Sequence, residues 1–303
     1  MNDHTALTMS ATPSHTHHQR ERTPDMQFIK RVYGEATAAV AVLAIALVVV
    51  RAIAEAQPWW LAAALPWAAY ALYLGLLMTR LVVVRRRHPW VQLSVAVMGI
   101  AASIIAGPFA VVVAVLGLAT ILGYNYWYSA QHRSSRPIRV DEPLPLFPLT
   151  TIDGDVVDSS MLTDQPHVIM FIRGNWCPFC MAQVGQIAAQ YRELDRRGVA
   201  VAIISPQKPE DTVELSQRFD IPVSFFIDSD GAAAATLDLV QPGGTPLIFS
   251  AGAPAHGDTV VPTVIITDRS GTVLWAEQTD NHRMRPEPTT FLDVLDQYGI
   301  RAS

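Results

Sequence analysis

The chain contains only two cysteines, Cys177 and Cys180, within the stretch Phe171-Ile-Arg-Gly-Asn-Trp-Cys-Pro-Phe-Cys180. The apolar run at 167–172 predicts a buried strand, and the apolar spacing over 181–194 predicts a helix. Cys177 then lies at a strand-to-helix junction, and Cys180 lies one turn further along, on the same face of the helix. Free N–H groups and the positive end of the helix dipole favour a thiolate at Cys177. A nucleophilic thiol with a second thiol one turn away is the arrangement that dithiol–disulfide exchange needs.

Two other roles for a Cys-x-x-Cys pair fit this sequence less well. A structural zinc site needs four ligands, and no other cysteine exists. Of the nine histidines, His4, His15, His17 and His18 lie in a polar N-terminal tail. A purely structural disulfide would close so short a loop that it would stabilise the fold little. The pair therefore predicts redox chemistry, with no metal and no cofactor.

The segment Trp176-Cys-Pro-Phe-Cys180 after a strand resembles the active site of the thioredoxin fold. The wider pattern Phe-x-Arg-Gly-x-Trp-Cys-Pro-x-Cys is similar to the peroxiredoxin-like branch of the alkyl hydroperoxide reductase/thiol-specific antioxidant (redoxin) family. The resemblance covers about residues 140–300. Val261-Pro262-Thr263 matches the position of the cis-proline of the fold. The resemblance thus implies a cis bond at Pro262, beside the active-site disulfide, where it shapes a groove for the partner's backbone.

The resemblance also implies a mechanism. Cys177, expected to be the more exposed sulfur, attacks a disulfide or a hydroperoxide, and Cys180 resolves the intermediate. An external thiol donor, thioredoxin-like or glutathione, then reduces the Cys177–Cys180 bond. Trp176 supplies part of an apolar rim around the site. Arg173 either favours the thiolate by its charge or is a plain surface charge at the end of a strand.

The chain departs from the family pattern at three positions. Peroxiredoxins proper carry a threonine and a proline where this chain has Gly174 and Met170, so we expect hydroperoxide reduction to be weak. Thioredoxin-type reductases carry a buried acid where this chain has Phe171. Arg283 and Arg285 are both candidates for the arginine that stabilises charge on a bound peroxide.

The N-terminal half is apolar enough to span a membrane. Half of the 303 residues are hydrophobic and 16% are charged, and the net charge of −5 gives no reason to expect nucleic acid. A single helix over 91–124 would be about 51 Å long, against an apolar bilayer core of about 30 Å. Gly107-Pro108 divides this segment, which favours a helical hairpin over one long, kinked helix. The predicted transmembrane helices are about 36–54, 59–79, 91–106 and 108–126. They lack intramembrane acids and histidines, which indicates an anchor in membrane lipid rather than a transporter.

The predicted fold class is α/β, a thioredoxin-like three-layer sandwich with a mixed sheet, preceded by an all-α transmembrane region. Residues 1–33 form a disordered polar tail without a signal peptide, 34–128 the transmembrane region, 129–143 a charged linker, and 144–303 the redoxin domain. A Gly/Pro-rich loop at 241–260 is expected over the active site. The helix between the strands at 167–172 and 199–204 predicts that these strands pair in parallel.

The predicted function is a membrane-anchored thiol-disulfide oxidoreductase or peroxiredoxin-like antioxidant protein. The alternatives are a redox sensor whose disulfide state alters a partner contact without turnover, and a structural membrane module with a vestigial redoxin domain. Arginines follow the second predicted helix and the last one. Because basic loops favour the cytoplasmic side, we expect the redoxin domain in the cytoplasm, with a periplasmic domain as the alternative.

Overall fold

A computed structural model of the chain describes residues 24–79, 87–131, 137–219, 221–252 and 257–302. It consists of a helical bundle followed by an α/β domain. The bundle helices are α1 (Pro24–Ala54), α2 (Leu65–Met78), α3 (Trp90–Ser103) and α4 (Pro108–Leu122). A 3₁₀ turn, Pro58–Ala64, precedes α2, another, Ile104–Ala106, follows α3, and α4 continues as a π-helix over Gly123–Tyr128.

The break between α3 and α4 lies at Gly107. Its φ of 110° is open to glycine and strained for other residues, and Pro108 starts the next helix at a position where no N–H is needed. The chain therefore reverses here and α3 packs on α4.

The four helices run alternately up and down. Near the start of α1 the Tyr33 ring meets the Trp127 ring at 5.2 Å, and near its end Arg51 lies over the Phe109 ring at 5.6 Å. α1 and α4 are therefore antiparallel. We call the bundle end that carries Tyr33 and Trp127 the proximal end, because it faces the α/β domain.

Within the described part of the chain, three apolar helical segments are long enough to cross a membrane: Phe28–Ala54, Pro58–Met78 and Pro108–Tyr128. Trp90–Ala106 is a shorter apolar helix. Many of their large side chains face outward, among them Val42, Leu43, Leu72 and Val97. The bundle interior is filled by small and aromatic residues around Trp67, Tyr70 and Tyr124.

The α/β domain is built on a seven-stranded mixed sheet. Its strands are β1 (Pro148–Thr151), β2 (Val156–Asp158), β3 (His167–Phe171), β4 (Ala200–Ser205), β5 (Ser224–Ile227), β8 (Thr263–Thr267) and β9 (Val273–Glu277). Their order across the sheet is β2-β1-β5-β4-β3-β8-β9. Two short strands, β6 (Val240–Gln241) and β7 (Thr259–Val260), form a separate ribbon. The helices are α5 (Pro178–Arg196), α6 (Pro209–Ser216), α7 (Ala232–Thr236) and α8 (Pro288–Gln297).

Apolar cores cover both faces of the sheet, with α5 and α8 on one face and α7 on the other. β3 is central and fully buried, which explains its continuous apolar sequence. It pairs in parallel with β4 and antiparallel with β8. The predicted fold class, a thioredoxin-like α/β sandwich preceded by apolar helices, is confirmed.

Two boundaries differ from the sequence interpretation. α1 begins at Pro24, so the last ten residues assigned to a disordered tail are helical; they are held because Lys30 and Tyr33 pack against the end of α4. The rest of that tail lies outside the described residues, as do most of the basic loop at 80–88 and residues 132–136 of the predicted linker. The expected loop at 241–260 includes β7 and a 3₁₀ helix, Leu247–Gly252.

Candidate active site: a buried dithiol

Both cysteines lie at the junction between β3 and α5. Cys177 is the N-cap of α5, and Pro178 occupies the first helical position. The Cys180 N–H donates to the Cys177 sulfur at 3.4 Å, so this sulfur takes the place of a capping oxygen. Both residues are free thiols one helical turn apart, as the sequence predicts.

The loop before Cys177 needs a glycine at position 174. Gly174 has a φ of 144°, and a Cβ there would lie 2.8 Å from both Gln207 Oε1 and Trp176 Nε1. Gln207 Oε1 also accepts the Asn175 N–H at 2.7 Å. The threonine of peroxiredoxins therefore has no room at this position, which gives a physical reason for the departure.

Neither sulfur is open to solvent. Cys177 is 2% exposed and Cys180 is fully buried, so Cys177 is the more exposed sulfur, as expected, but only by this small margin. Leu77 of α2 belongs to the same core cluster as both cysteines, and Tyr73 and Leu74 pack against that cluster. The proximal end of the bundle thus packs against the core that contains the dithiol.

Two buried arginines, Arg285 and Arg173, lie close enough to the dithiol for their charges to favour a thiolate. Arg285 Nη2 lies 4.0 Å from the Cys180 sulfur, and Arg173 donates to Gln241 Oε1 at 2.6 Å. A third arginine, Arg283, is only 1% exposed and donates to the backbone oxygen of Asn125 in the π-helix at 3.3 Å.

The two thiols differ in acidity. Burial opposes ionisation of Cys180, but the hydrogen bond with Cys177 and the charges of Arg285 and Arg173 lower its pKa to about 6. Burial, followed by the interaction with Cys180, raises the pKa of Cys177 well above its ordinary value. The reduced pair therefore holds one proton and one negative charge at neutral pH. The sequence argument put the lower pKa on Cys177; in the structure the lower pKa falls on Cys180, because the hydrogen bond with Cys177 and then the charge of Arg285 favour its thiolate.

His282 is a site residue that the sequence interpretation missed. Its ring stands edge-on to both Phe179, at 5.8 Å, and Tyr128, at 5.5 Å. Burial and the charges of the nearby arginines hold its pKa well below the ordinary value, so it is neutral. Its place beside two arginines in the sequence gave no periodic or spacing signal that would have found it.

A small cavity adjoins this cluster on the side of Arg173. It has a volume of about 30 Å³, and its lining includes Lys30, Tyr128, Arg173 and His282. This is room for about one water molecule. The described residues contain no cluster of His, Cys, Asp or Glu that could hold a metal ion.

The remaining predicted site residues also have definite places. Trp176 stacks on Phe249 at 5.6 Å and forms part of an apolar rim, as expected. Pro262 directly precedes β8, but none of the described peptide bonds is cis, so the predicted cis bond at Pro262 is wrong. The trans form of an X–Pro bond is favoured by about 0.5–1 kcal/mol, and a sequence match cannot tell which isomer the surrounding contacts select.

The β3–Cys177–α5 arrangement on this sheet defines a thioredoxin-like domain with a dithiol at the start of α5. Residues 140–276 match the profile of the AhpC/TSA family, so the predicted resemblance of this part of the chain to a redoxin domain is confirmed. Fold and family together support a thiol oxidoreductase in the general sense. No curated protein matches the chain in sequence.

Several solved structures are similar to the α/β domain. A cysteine-to-serine mutant of peroxiredoxin 6 from Arenicola marina is 18% identical, with 54% of this chain and 74% of that chain covered and a TM-score of 0.46. A yeast mitochondrial 1-Cys peroxiredoxin, described with glutathione/thioredoxin systems, is 16% identical over 54% of this chain and 77% of its own, with a TM-score of 0.43. A putative thiol:disulfide interchange protein DsbE from Chlorobium tepidum is 17% identical over 54% and 99%, with a TM-score of 0.37.

Proposed function

We propose that the chain is a membrane-anchored thiol oxidoreductase whose Cys177–Cys180 dithiol passes two electrons to a disulfide or, more weakly, to a hydroperoxide. The observation that carries the proposal is the geometry of the pair. One sulfur caps the helix, the second lies one turn inside, and Arg285 lies 4.0 Å from the second. A thiol–thiolate pair of this kind is primed for exchange.

The first half-reaction begins at Cys177, which is nearer the surface. Cys177 gives its proton to the Cys180 thiolate and attacks one sulfur of the substrate disulfide. The substrate S–S bond breaks, its second sulfur leaves as a thiolate, and a mixed disulfide joins Cys177 to the substrate. With a hydroperoxide, the O–O bond breaks instead, the alcohol leaves with a proton, and Cys177 becomes a sulfenic acid.

The second half-reaction is resolution by Cys180. Cys180 gives up its proton to the leaving group or to solvent and attacks the Cys177 sulfur. From the mixed disulfide this expels the substrate thiol that was still bound to Cys177, and from the sulfenic acid it expels water. The product is a Cys177–Cys180 disulfide, and the substrate has gained two electrons. An external thiol donor, thioredoxin-like or glutathione, returns the electrons. Arg285 favours this last step, because a lower pKa makes Cys180 a better leaving group.

The helical bundle serves as the membrane anchor in this proposal. Exposed aromatic residues at the proximal end, Trp90, Tyr126 and Trp127, are typical of a membrane–water interface. Arg87, between α2 and α3, pairs with Asp280 of the α/β domain at 3.0 Å, so this loop residue lies at the same end as that domain. Basic loops favour the cytoplasm, which supports a cytoplasmic domain over a periplasmic one. Reporter fusions after Arg139 test this side; activity of a periplasmic reporter would contradict it.

The activity is tested on the full-length protein reconstituted in nanodiscs. A thioredoxin system supplies electrons, and a protein disulfide and a hydroperoxide are compared as acceptors. We expect NADPH consumption with the protein disulfide that is lost in both Cys177→Ser and Cys180→Ser. A matched control is Val156→Ser, a change at an exposed position of β2, which should retain turnover. Turnover that survives either cysteine substitution would refute the proposal.

A redox sensor is the second candidate, and the burial of both thiols favours it. Arg283 joins the redoxin domain to the bundle through Asn125 and through the Tyr73 hydroxyl at 3.2 Å. Oxidation removes the thiolate charge from this arginine-rich interface and would weaken the contact. A protein that changes protease accessibility on oxidation but shows no turnover with any donor would be a sensor rather than an enzyme.

A further inference from the structure

The short 3₁₀ helix Leu247–Gly252 presents an apolar surface that the redox chemistry does not use. Leu247 is 40% exposed, Ile248 71% and Phe249 36%; we call these three residues the apolar ridge. The sequence from 239 to 257 contains no Asp, Glu, Lys or Arg. Single exposed apolar residues are ordinary, but contiguous ones mark an interaction surface.

The ridge lies against the first turns of α1. The Ile248 N–H donates to Glu35 Oε1 at 3.0 Å. Further along the same loop, a Cβ added at Gly257 would lie 2.7 Å from Arg31 Nη2. Both contacts fall inside or next to Phe28–Ala54, the first helix that is apolar and long enough to span a membrane. The redoxin domain therefore touches the flank of a candidate span, in addition to the proximal end of the bundle.

The depth of the ridge can be read along α1. Lys30 Nζ lies 5.6 Å from the Trp127 ring, and Trp127 belongs to the exposed aromatic residues of the proximal end. Glu35 is five residues further toward the other end of the bundle, which is about 7.5 Å along the helix axis. Side chains that lie at the boundary between headgroups and acyl chains are buried there by about 5–10 Å. Ile248, hydrogen-bonded to Glu35, thus falls at the depth of this boundary.

We propose that the apolar ridge inserts into the headgroup–acyl boundary of the same bilayer that the bundle spans. This inference rests on the membrane anchor of the proposed function. It makes the redoxin domain an interfacial as well as a tethered domain, with Leu247, Ile248 and Phe249 as its lipid contacts. Trp176, the residue before Cys177, stacks on Phe249, so the lipid contact adjoins the dithiol.

A bilayer fits this surface better than a protein partner does. Between the proximal end and the level of Glu35, α1 also exposes Phe28, Ile29 and Val32. One lipid surface covers these side chains and the ridge together, whereas a soluble partner would have to displace lipid from α1 to reach the ridge. The uncharged sequence around the ridge offers no ion pair that would select a particular protein.

The test uses an environment-sensitive fluorophore on single cysteines in the full-length protein in nanodiscs. Ile248→Cys, Val42→Cys and Val156→Cys are each made in a Cys177→Ser, Cys180→Ser background, so each protein carries one label. Val42 lies in the middle of α1 and is 64% exposed, and Val156 is 82% exposed on the β2 edge of the sheet. Quenching is measured with lipids that carry a doxyl group near the headgroup or near the bilayer centre. Gel filtration and circular dichroism verify that each variant is folded.

We expect the Ile248 label to be blue-shifted and quenched most by the doxyl group near the headgroup. The Val42 label should be quenched most at the bilayer centre, and the Val156 label by neither lipid. If Val42 is quenched and Ile248 behaves like Val156, the ridge is not a lipid contact, although the anchor stands. If Val42 is not quenched either, the anchor itself fails, and the inference with it. A blue shift at Ile248 that is insensitive to doxyl lipids and grows with protein density would refute the inference in favour of a second copy of the chain.

Discussion

The acidity of the dithiol should depend on Arg285, a residue more than one hundred positions away from it. In Arg285→Gln the guanidinium next to Cys180 is replaced by a neutral amide. The thiolate then loses its closest cation, while the hydrogen bond with Cys177 and the charge of Arg173 remain. We expect the pKa of Cys180 to rise from about 6 toward the ordinary value of a thiol.

The size of the shift follows from the distance between Arg285 Nη2 and the Cys180 sulfur, which is 4.0 Å. Two unit charges at this separation interact by about 4 kcal/mol at an effective dielectric constant of about 20. One pKa unit corresponds to about 1.36 kcal/mol, so about 3 units is the upper limit. Because the guanidinium charge is delocalised and water will partly replace it, we expect a rise of about 1–2 units. At neutral pH, Cys180 would change from largely ionised to half or more protonated.

The ultraviolet absorbance of the thiolate, followed against pH, measures this shift directly. Arg285→Lys keeps a positive charge and should restore most of the low pKa, whereas Arg192→Gln, on the exposed side of α5, should leave the midpoint unchanged. Because the pKa is lowered in the folded protein, the thiolate contribution to stability is present at alkaline pH and is lost as the pH falls through about 6. A midpoint that is the same in Arg285→Gln and in the wild type would refute this account of the site.

The remaining predictions concern the order of the thiols, the loop before them and the cover over them. Cys180→Ser should accumulate mixed disulfides through Cys177, seen on non-reducing gels, whereas Cys177→Ser should form none; equal trapping would reverse the assigned roles. Gly174→Thr should cost about 1–3 kcal/mol of stability from its backbone conformation alone, measured by denaturant unfolding, while Gly185→Ala on the open side of α5 should be neutral or stabilising. Arg283→Gln should speed alkylation of the dithiol by a bulky maleimide, because it removes hydrogen bonds that hold the bundle over the site; unchanged rates would mean that other contacts keep the site closed.

The energetics of the cover agree with this last expectation. A guanidinium as buried as that of Arg283 is costly unless its hydrogen bonds are made. It donates to Tyr73, to the backbone of Arg87 and to the backbone of Asn125, all in the bundle or next to it. The Arg87–Asp280 ion pair at 3.0 Å is exposed and contributes roughly 0–1 kcal/mol. Arg283 is therefore a stronger link between the domains than the Arg87–Asp280 pair.

Local sequence was enough to predict the thioredoxin-like fold and the dithiol. The apolar strand before Cys177 and the helical spacing after Cys180 are short-range patterns, and each reflects a backbone periodicity that a few neighbouring residues impose. The family profile over 140–276 agrees with that interpretation. The break at Gly107-Pro108 is of the same kind, since glycine readily adopts the φ that this turn requires and proline fixes its own φ at the start of the next helix.

Tertiary structure decided the state of the site. Sequence reasoning expected the lower pKa on Cys177 and a cis bond at Pro262, and both expectations were wrong. The pKa of Cys180 depends on Arg285, which is 105 residues away. The closure of the site depends on Arg283 and Tyr73, which are 210 residues apart. Such pairs meet only because the sheet and the bundle bring distant segments together. Local periodicity indicates which face of an element is buried, but not which element will cover that face. The dithiol could therefore be predicted from the sequence, whereas its burial and the charges around it could not.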